Sequence, residues 1–295
     1  MSELRFDDRV VIVTGGGRGI GRAHARLLAS RGARVVVADY GAAIDGSGSS
    51  TDPAEEVVRE IEAAGGVAVA CHASVADPAG AASIVETALE RFGRLDAVIN
   101  NAGISDKHRF EDLSPQQFQR MIDVHFLGTV LVTRSAWPHF VAAGYGRIVN
   151  TASEAMLGAQ PELTSYGAAK GAVWAFTRNL AAEGAELGIH VNAVAPRART
   201  RMSEEGLDPA VVEGTLLAKM DPGLVAPVAA YLAHDSCTLS GEVLVAGGGD
   251  VFRVTPIVTL GISQDTLTVE DVADHIDTIM STDDARVPPV GAYVR

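Results

Sequence analysis

Tyr166 and Lys170 lie four residues apart, so a helix would place them on one face, one turn from each other. A lysine ammonium beside a tyrosine phenol favours the ionised phenolate, which can accept a proton. The chain has three lysines and five tyrosines, and a pair at this spacing arises by chance about one time in twenty. Taken alone, the pair suggests a general acid or base without establishing one.

A second candidate site is a glycine-rich turn near the start of the chain. It reads Thr14-Gly15-Gly16-Gly17-Arg18-Gly19-Ile20-Gly21, after the apolar run 10–13 and before the helical pattern 23–32. Glycines let backbone N–H groups at a helix N-terminus approach a pyrophosphate, and the helix dipole favours the anion. The spacing differs from the general G-x-G-x-x-G fingerprint. A nucleotide-binding turn and a plain turn without a ligand both stay open from this segment alone.

Asp39 ends the next apolar run, residues 35–38, and lies 18 residues after Gly21. A carboxylate at this place binds the ribose 2′-hydroxyl of NAD and repels the 2′-phosphate of NADP. Arg18 and Arg34 instead favour NADP, since a guanidinium can hold the 2′-phosphate, unless both arginines are solvated or paired. We expect NAD as the cofactor.

These residues resemble the motifs of the short-chain dehydrogenase/reductase family over residues 8–250. Further motifs follow in the family's order: Asn100-Asn101-Ala102-Gly103 after a strand-like run, Ser153 thirteen residues before Tyr166, and the segment 189–196. The resemblance implies four catalytic residues, which are Ser153, Tyr166, Lys170 and His125. It also implies a dinucleotide site, for which we expect Gly15, Arg18, Gly19, Ile20, Gly21, Asp39, Ser74, Val75, Asn101, Ala102, Gly103, Tyr166, Lys170 and Pro196.

Two positions depart from the family's pattern. His125 stands where the family usually has an asparagine, which fixes a helix distortion and a water that relays protons to the lysine. His125 either does the same or is only a packed helix residue. The family's Pro-Gly after the sixth strand reads Pro196-Arg197 here, so the conformation of that loop is open.

Within the family, the chain is similar to the dehydrogenase part of the peroxisomal multifunctional β-oxidation enzymes and their bacterial relatives. The similarity is carried by residues 39–51, 124–137 and 195–202. It implies an NAD-dependent 3-hydroxyacyl-CoA dehydrogenase, with hydroxysteroids as a neighbouring substrate class. A hydroxysteroid or terpene-alcohol dehydrogenase is the alternative enzyme, and a non-catalytic NAD-sensing scaffold is the alternative from another class.

Two groups of basic residues follow predicted strand ends, where open α/β sheets bind ligands. Lys107, His108 and Arg109 follow the Asn-Asn-Ala-Gly turn, and Arg197, Arg199 and Arg201 follow Pro196. They either attract the phosphates of an acyl-CoA or are loop charges, some of them paired with Glu204 and Glu205.

The spacing of apolar runs indicates an α/β fold, a Rossmann-type doubly wound parallel sheet of about seven strands. The runs lie near 10–13, 35–38, 67–71, 95–100, 147–152, 189–195 and 243–246. We expect one catalytic domain, residues 1–250, and a C-terminal extension, residues 251–295. Thr268 is a candidate N-cap of a short amphipathic helix in that extension, which either packs against a neighbouring subunit or covers the substrate site.

Composition narrows the partners. The net charge of −13 disfavours nucleic acid, and the lack of an 18-residue apolar run or a signal-like start predicts a cytoplasmic protein that does not bind membranes. Two cysteines, Cys71 and Cys237, fit no metal spacing, and we expect no metal. The expected partner is a small-molecule substrate, and the resemblance implies a homodimer or homotetramer through helices after Phe118 and Tyr166.

Two loops interrupt the pattern. Residues 41–53 are polar and rich in glycine and serine, and either cover the adenosine end of a cofactor or form a plain mobile loop. Residues 203–224 follow the Pro196 turn and contain three possible hinges, Gly206, Gly214 and Gly223. We expect a substrate lid there.

Overall fold

In the part of the chain that the structure describes, eight strands form one sheet, and the first seven run parallel. The structure is a computed structural model that describes residues 3–158, 160–204 and 212–291. The strands are β1 (Val10–Thr14), β2 (Arg34–Ala38), β3 (Val67–Cys71), β4 (Ala97–Asn100), β5 (Gly146–Thr151), β6 (Ile189–Pro196), β7 (Val243–Gly247) and β8 (Asp250–Val254). Their order is β3-β2-β1-β4-β5-β6-β7-β8, which reverses between β1 and β4. This is the predicted doubly wound Rossmann-type sheet, in which ligands bind at the reversal.

The helices fill both faces of this sheet. Those described are α1 (Gly19–Ser30), α2 (Asp52–Ala63), α3 (Pro78–Phe92), α4 (Pro115–Ile122), α5 (Gly128–Ala143), α6 (Thr164–Gly184), α7 (Arg201–Glu204), α8 (Ala226–Ala233), α9 (Val269–Asp274) and α10 (Ile276–Met280). A π-helical turn, Asp123–Leu127, joins α4 to α5, and a 3₁₀ turn, Glu154–Leu157, follows β5.

Two apolar clusters hold the layers together, one on each face of the sheet. In β2 the side chains alternate between them, because successive residues of a strand point to opposite faces. Val35 and Val37 pack in the cluster with α1, α2 and α8, and Val36 packs in the cluster with α3 and α5. Strands buried on both faces read as continuous valine-rich runs, which is why the sequence predicted all seven parallel strands.

The expectation of about seven strands needs one correction, since β8 adds an antiparallel strand at the edge. Val245 of β7 lies opposite Phe252 of β8 in the ladder. β8 is mostly exposed and contains Asp250 and Arg253, so it has no apolar run for a sequence pattern to detect.

The predicted helix in the C-terminal extension is present as α9. Thr268 accepts the N–H of Asp271 on its Oγ1 at 3.1 Å, and the Asp271 carboxylate accepts the N–H of Thr268 at 2.9 Å. This reciprocal capping box fixes the start of the helix. At Pro288 the extension lies beside α6, where Arg178 donates to the Pro288 carbonyl at 3.0 Å. Among the described helices, none has the length and apolar character needed to cross a bilayer.

His24 is an unusual core residue of α1. Its side chain is fully buried, and within the described chain neither ring nitrogen has a hydrogen-bond partner. Burial lowers the pKa of His24 from 6.5 to about 4, because the charged imidazolium would lose its hydration without gaining a partner.

Acid should therefore destabilise the fold through His24. Between pH 6.5 and about pH 4, the unfolded chain binds a proton at this residue and the folded chain does not. The free energy of unfolding should fall by about 3 kcal/mol as the pH drops through that range. We expect His24→Phe to remove this loss, as measured by urea unfolding at about pH 7.5 and about pH 4.5. His139→Phe makes the same substitution at an exposed position of α5 and serves as the control. An equal acid loss in His24→Phe and the wild type would contradict the assignment.

Candidate active site

A cleft of about 410 Å³ opens at the carboxyl ends of β1 and β4, where the strand order reverses. Ten of the fourteen predicted cofactor residues line it: Gly15, Arg18, Gly19, Ile20, Asp39, Ser74, Val75, Asn101, Ala102 and Gly103. A larger groove, of about 850 Å³, lies between α1 and α2, away from every predicted catalytic residue. The smaller cleft is the candidate site, because it gathers residues from the glycine turn, the Asp39 segment and the Asn-Asn-Ala-Gly motif, whereas Gly19 is the one predicted cofactor residue among those lining the larger groove.

The glycine turn has its shape because a side chain would not fit. Gly15 and Gly19 have φ of 61° and 52°, in the left-handed region that favours glycine. A Cβ on Gly21 would lie 2.0 Å from the carbonyl oxygen of Gly15, so α1 can begin this close to β1 only with glycine there. Gly21 therefore lies behind the cleft and shapes the turn from there.

Asn101 ties the two strand ends together. Its side-chain amide donates to the carbonyls of Thr14 at 3.0 Å and Gly15 at 3.2 Å. In return, the Thr14 hydroxyl accepts the backbone N–H groups of Asn101 and Ala102 at 2.9 and 3.1 Å. The Asn-Asn-Ala-Gly motif thus holds the glycine turn in place.

Asp39 is held at the rim of the cleft by backbone donors. One carboxylate oxygen accepts the N–H of Gly17 at 2.8 Å, and the other accepts the N–H of Gly41 at 2.7 Å. Each oxygen keeps a lone pair for a further donor. The carboxylate is therefore fixed in position with accepting capacity left.

The polar loop after β2 folds onto this cleft. Ala42, Ile44 and Gly46 line it, and the Ile44 carbonyl accepts the N–H of Ser105 at 2.8 Å. Arg120 of α4 donates to the Asp45 carbonyl at 3.1 Å. The loop thus lines the end of the cleft beside Asp39.

Three arginines that line the cleft, Arg18, Arg120 and Arg201, form no ion pair with a described carboxylate. Burial and the charge of Arg18 lower the pKa of Arg201, while the charge of Asp39 opposes this shift. The cleft lining thus carries three arginines against two carboxylates, those of Asp39 and Asp123, on a chain with a net charge of −13. Arg120 was not among the predicted residues, since nothing in the sequence links α4 to this cleft.

The other predicted basic residues are mostly paired. Arg199 binds Glu204 at 2.6 Å and Glu213 at 2.7 Å, and Arg109 binds Glu111 at 2.7 Å. His108 contacts Asp106 at 2.5 Å. The structure thus matches the alternative of paired loop charges for these residues, whereas Glu205 lies outside the described residues.

Ser153, Tyr166 and Lys170 come together where β5 ends and α6 begins. Ser153 precedes the 3₁₀ turn, and its Oγ accepts the N–H of Ala155 at 3.2 Å. Lys170, one turn along α6 from Tyr166, places its Nζ 5.6 Å from the centre of the tyrosine ring and donates to the Thr151 carbonyl at 2.6 Å. The helical spacing seen in the sequence therefore places Lys170 beside Tyr166. The packing of α6 on the turn after β5 brings Ser153 within hydrogen-bonding reach of Tyr166.

Burial acts on both ionisable groups of this trio. It lowers the pKa of Lys170 to about 7, because the ammonium loses hydration. Burial also raises the pKa of Tyr166, and the hydrogen bond with Ser153 acts in the opposite direction. The site therefore contains a lysine with a pKa of about 7 beside a tyrosine. The hydrogen bond from Ser153 favours the ionised form of that tyrosine.

His125 lies in the π-helical turn and is buried. Its Nε2 is 2.8 Å from the Ile104 carbonyl oxygen and 3.1 Å from the Ile104 N–H, and its ring packs edge-on against Tyr166 with centroids 5.1 Å apart. Burial first, and the charge of Lys170 second, hold the pKa of His125 well below its usual value. A Cβ on Gly103 would lie 2.5 Å from the ring, so the histidine is tightly packed. It also lies in a helix distortion, the π-helical turn.

Pro196 ends β6, and the loop that follows it is firmly attached. Arg197 donates its N–H to the Ala246 carbonyl at 2.8 Å and binds Glu154 with its side chain. The N–H of Arg199 donates to the Met220 carbonyl at 2.6 Å. Of the expected lid, residues 205–211, with Gly206, lie outside the described residues, while Gly214 and Gly223 are described.

Comparison with known proteins gives a consistent set of relatives. A family model described as short chain dehydrogenase matches residues 9–207. A short-chain type dehydrogenase/reductase of Mycobacterium tuberculosis is 43% identical over 95% of this chain and 96% of its own length. The peroxisomal hydratase-dehydrogenase-epimerase of Saccharomyces cerevisiae is 41% identical over 83% of this chain, which spans 27% of that much longer protein.

A solved structure gives the same picture of the fold. The 7α-hydroxysteroid dehydrogenase complexed with NADH and 7-oxo glycochenodeoxycholic acid is 28% identical, with a TM-score of 0.75. The match covers 84% of this chain and 98% of that chain.

Proposed function

Because this chain belongs to the short-chain dehydrogenase family and is an oxidoreductase, we propose that it interconverts a secondary alcohol and a ketone with NAD as the hydride carrier. The observation that carries the proposal is the meeting of Ser153, Tyr166 and Lys170 at the end of β5. A sensor without catalysis would not need a hydroxyl hydrogen-bonded to a phenol with a lysine ammonium 5.6 Å from the phenol ring.

The cleft fits a dinucleotide. Gly15 and Gly19 present backbone in the cleft lining at the start of α1, and Arg18 and Arg201 supply positive charge with no ion-pair partner among the described carboxylates. Gly15, Gly19 and the N-terminus of α1 would hold the pyrophosphate, and Asp39 the adenine ribose. When bound, the nicotinamide supplies the hydride acceptor.

Tyr166 moves the proton in this proposal. As the phenolate it takes the proton of the substrate alcohol, and Ser153 holds the substrate oxygen by a hydrogen bond. A free tyrosine titrates near 10, so work near pH 7 requires a shift of about three units, or about 4 kcal/mol. Burial raises the pKa of the phenol, so the positive charges near it must lower the pKa by more than burial raises it. The Lys170 ammonium is one of these charges, and the oxidised nicotinamide ring is the other.

We propose 3-hydroxyacyl-CoA as the substrate class. The support comes from the relatives, since the Saccharomyces cerevisiae protein is named a hydratase-dehydrogenase-epimerase. Arg197 and Arg199 give no added support, because both are paired with glutamates. Hydroxysteroids are the comparison class in the test below.

The proposal predicts that the protein forms NADH when it is given a 3-hydroxyacyl-CoA and NAD. The reaction is monitored by the absorbance of NADH. Tyr166→Phe should lower kcat by at least about 1,000-fold, because the proton has no other acceptor, while NADH binding changes by less than about twofold. Tyr231→Phe makes the same change on the surface of α8 and should retain full activity. Full activity in Tyr166→Phe would refute the mechanism, and turnover of hydroxysteroids alone would refute the substrate class.

Asp39 should set the choice of cofactor. We expect the wild type to prefer NAD over NADP, and Asp39→Asn to shift the ratio of kcat/KM values toward NADP by about tenfold or more, because the neutral amide no longer repels a 2′-phosphate. Asp45→Asn serves as the control. It removes a charge from the loop that follows Asp39, at a residue that is not among those lining the cleft. A wild type that prefers NADP would contradict the role of Asp39.

We also propose that the chain forms a homodimer or homotetramer. Its C-terminal extension exposes apolar side chains, among them Val269 at 81% and Met280 at 68%. Apolar side chains exposed together in one segment are what a subunit interface would bury. Light scattering should give a mass at least twice 30.7 kDa, and Val269→Asp combined with Met280→Asp should reduce it with the circular dichroism spectrum unchanged. A monomeric wild type would contradict the proposed assembly. An assembly that both substitutions leave intact would instead place the interface outside the extension, as on the helices after Phe118 and Tyr166.

A further inference from the structure

Arg197 and Glu154 form a bidentate ion pair between two segments of the active site. Arg197 Nε donates to Glu154 Oε2 and its Nη2 to Oε1, both at 2.6 Å. Glu154 directly follows Ser153, and Arg197 directly follows Pro196. Two parallel charge-assisted bonds fix orientation as well as distance.

On one side, this pair is anchored to the sheet. The N–H of Arg197 donates to the Ala246 carbonyl at 2.8 Å, next to the last residue of β7. A Cβ on Gly247 would lie 2.0 Å from the Arg197 carbonyl oxygen, so the loop lies directly on that strand. Arg197 therefore cannot shift without moving the end of β7.

β8 covers one side of the Arg197 guanidinium. The Phe252 ring lies 5.0 Å from the Arg197 guanidinium carbon, within the range of a cation–π contact. The edge strand that the sequence did not reveal thus shields the pair from solvent on one side. About a third of each charged side chain stays exposed, 36% for Arg197 and 31% for Glu154.

On the other side, the pair reaches the serine. Glu154 begins the 3₁₀ turn whose next N–H, from Ala155, is bound by Ser153 Oγ. That turn also packs closely on α6, since a Cβ on Gly167 would lie 2.9 Å from the Ala155 carbonyl oxygen. Gly167 is the neighbour of Tyr166, so the turn is held between α6 and Arg197.

We propose that the Arg197–Glu154 pair is a positioning device that holds the 3₁₀ turn, and with it the Ser153 hydroxyl, in hydrogen-bonding register with Tyr166. Neither side chain touches the reacting atoms, and both act through Ser153. The inference rests on the proposed function only in assigning proton chemistry to Ser153 and Tyr166.

Loosening the turn should impair chemistry and leave cofactor binding alone. We expect Arg197→Met to lower kcat by about tenfold, since small displacements of a catalytic group are enough for losses of this size. The dissociation constant for NADH should change by less than about twofold. Because the Ser153 hydrogen bond favours the phenolate, its loss should move the rising limb of the pH profile for alcohol oxidation to higher pH.

The experiment compares Arg197→Met, Glu154→Gln and the double variant with a matched control. Arg253→Met breaks the bidentate pair of Arg253 with Glu242, at 2.6 and 2.8 Å, one residue after Phe252 on β8. This control should keep the wild-type kcat and pH profile. The double variant should be no worse than either single variant, and Arg197→Lys should recover part of the lost rate because it restores one charged bond.

A second readout needs no substrate. The phenol of Tyr166 is titrated by ultraviolet difference absorbance against Tyr166→Phe, in the wild-type and Arg197→Met backgrounds. A higher midpoint with Arg197→Met supports the positioning device even if the protein turns over no alcohol. The absence of turnover would refute the proposed function and leave the positioning device standing. An unchanged midpoint, or kcat and pH profile in Arg197→Met equal to those of Arg253→Met, would overturn the inference.

Discussion

The rest of the site depends on the close approach of two backbones, one leaving β1 and one leaving β4. A Cβ on Gly15 would lie 2.8 Å from Ala102 Cα, so the two turns touch without side chains between them. Asn101 then bonds the carbonyls that this approach would otherwise leave without donors. The cleft, the start of α1 and the position of Asp39 all follow from that contact.

From the same strand ends, a buried polar row continues across the sheet. Asn100 donates to Thr133 at 3.0 Å and to Asn150 at 2.9 Å, and Asn150 donates to Thr177 at 2.9 Å. These bonds tie β4 and β5 to α5 and α6. Because buried polar groups are costly unless paired, the row fixes the register of the helices on the sheet. α6, which carries Tyr166 and Lys170, is therefore placed by hydrogen bonds as well as by apolar packing.

Charge is arranged in two ways around this frame. Arg197 and Arg199 are used up in ion pairs that fasten loops, whereas Arg18 and Arg201 face the cleft without a carboxylate partner among the described residues. On an acidic chain, this concentrates positive potential at one concave place. Arginines of similar spacing in one loop thus take different parts, decided by which carboxylates the fold brings beside them.

The sequence by itself determined what local pattern encodes. Buried parallel strands leave continuous apolar runs, a helix puts Tyr166 and Lys170 on one face, and a capping box starts α9 at Thr268. The family's motifs placed ten residues of the cleft, because a glycine turn and its neighbours are read along the chain. The position of those residues is thereby largely predictable from sequence, while their catalytic roles remain a proposal.

Only the tertiary structure decided which distant groups meet. β8 has no apolar run, because an exposed edge strand needs none. Arg120 reaches the cleft from α4, and Arg197 finds Glu154 across 43 residues of chain. Hydrophobic periodicity records which face of an element is buried, but it does not record which charged side chain lies opposite. Those pairings follow from the packing of whole elements, and the chain acquires them only when it folds.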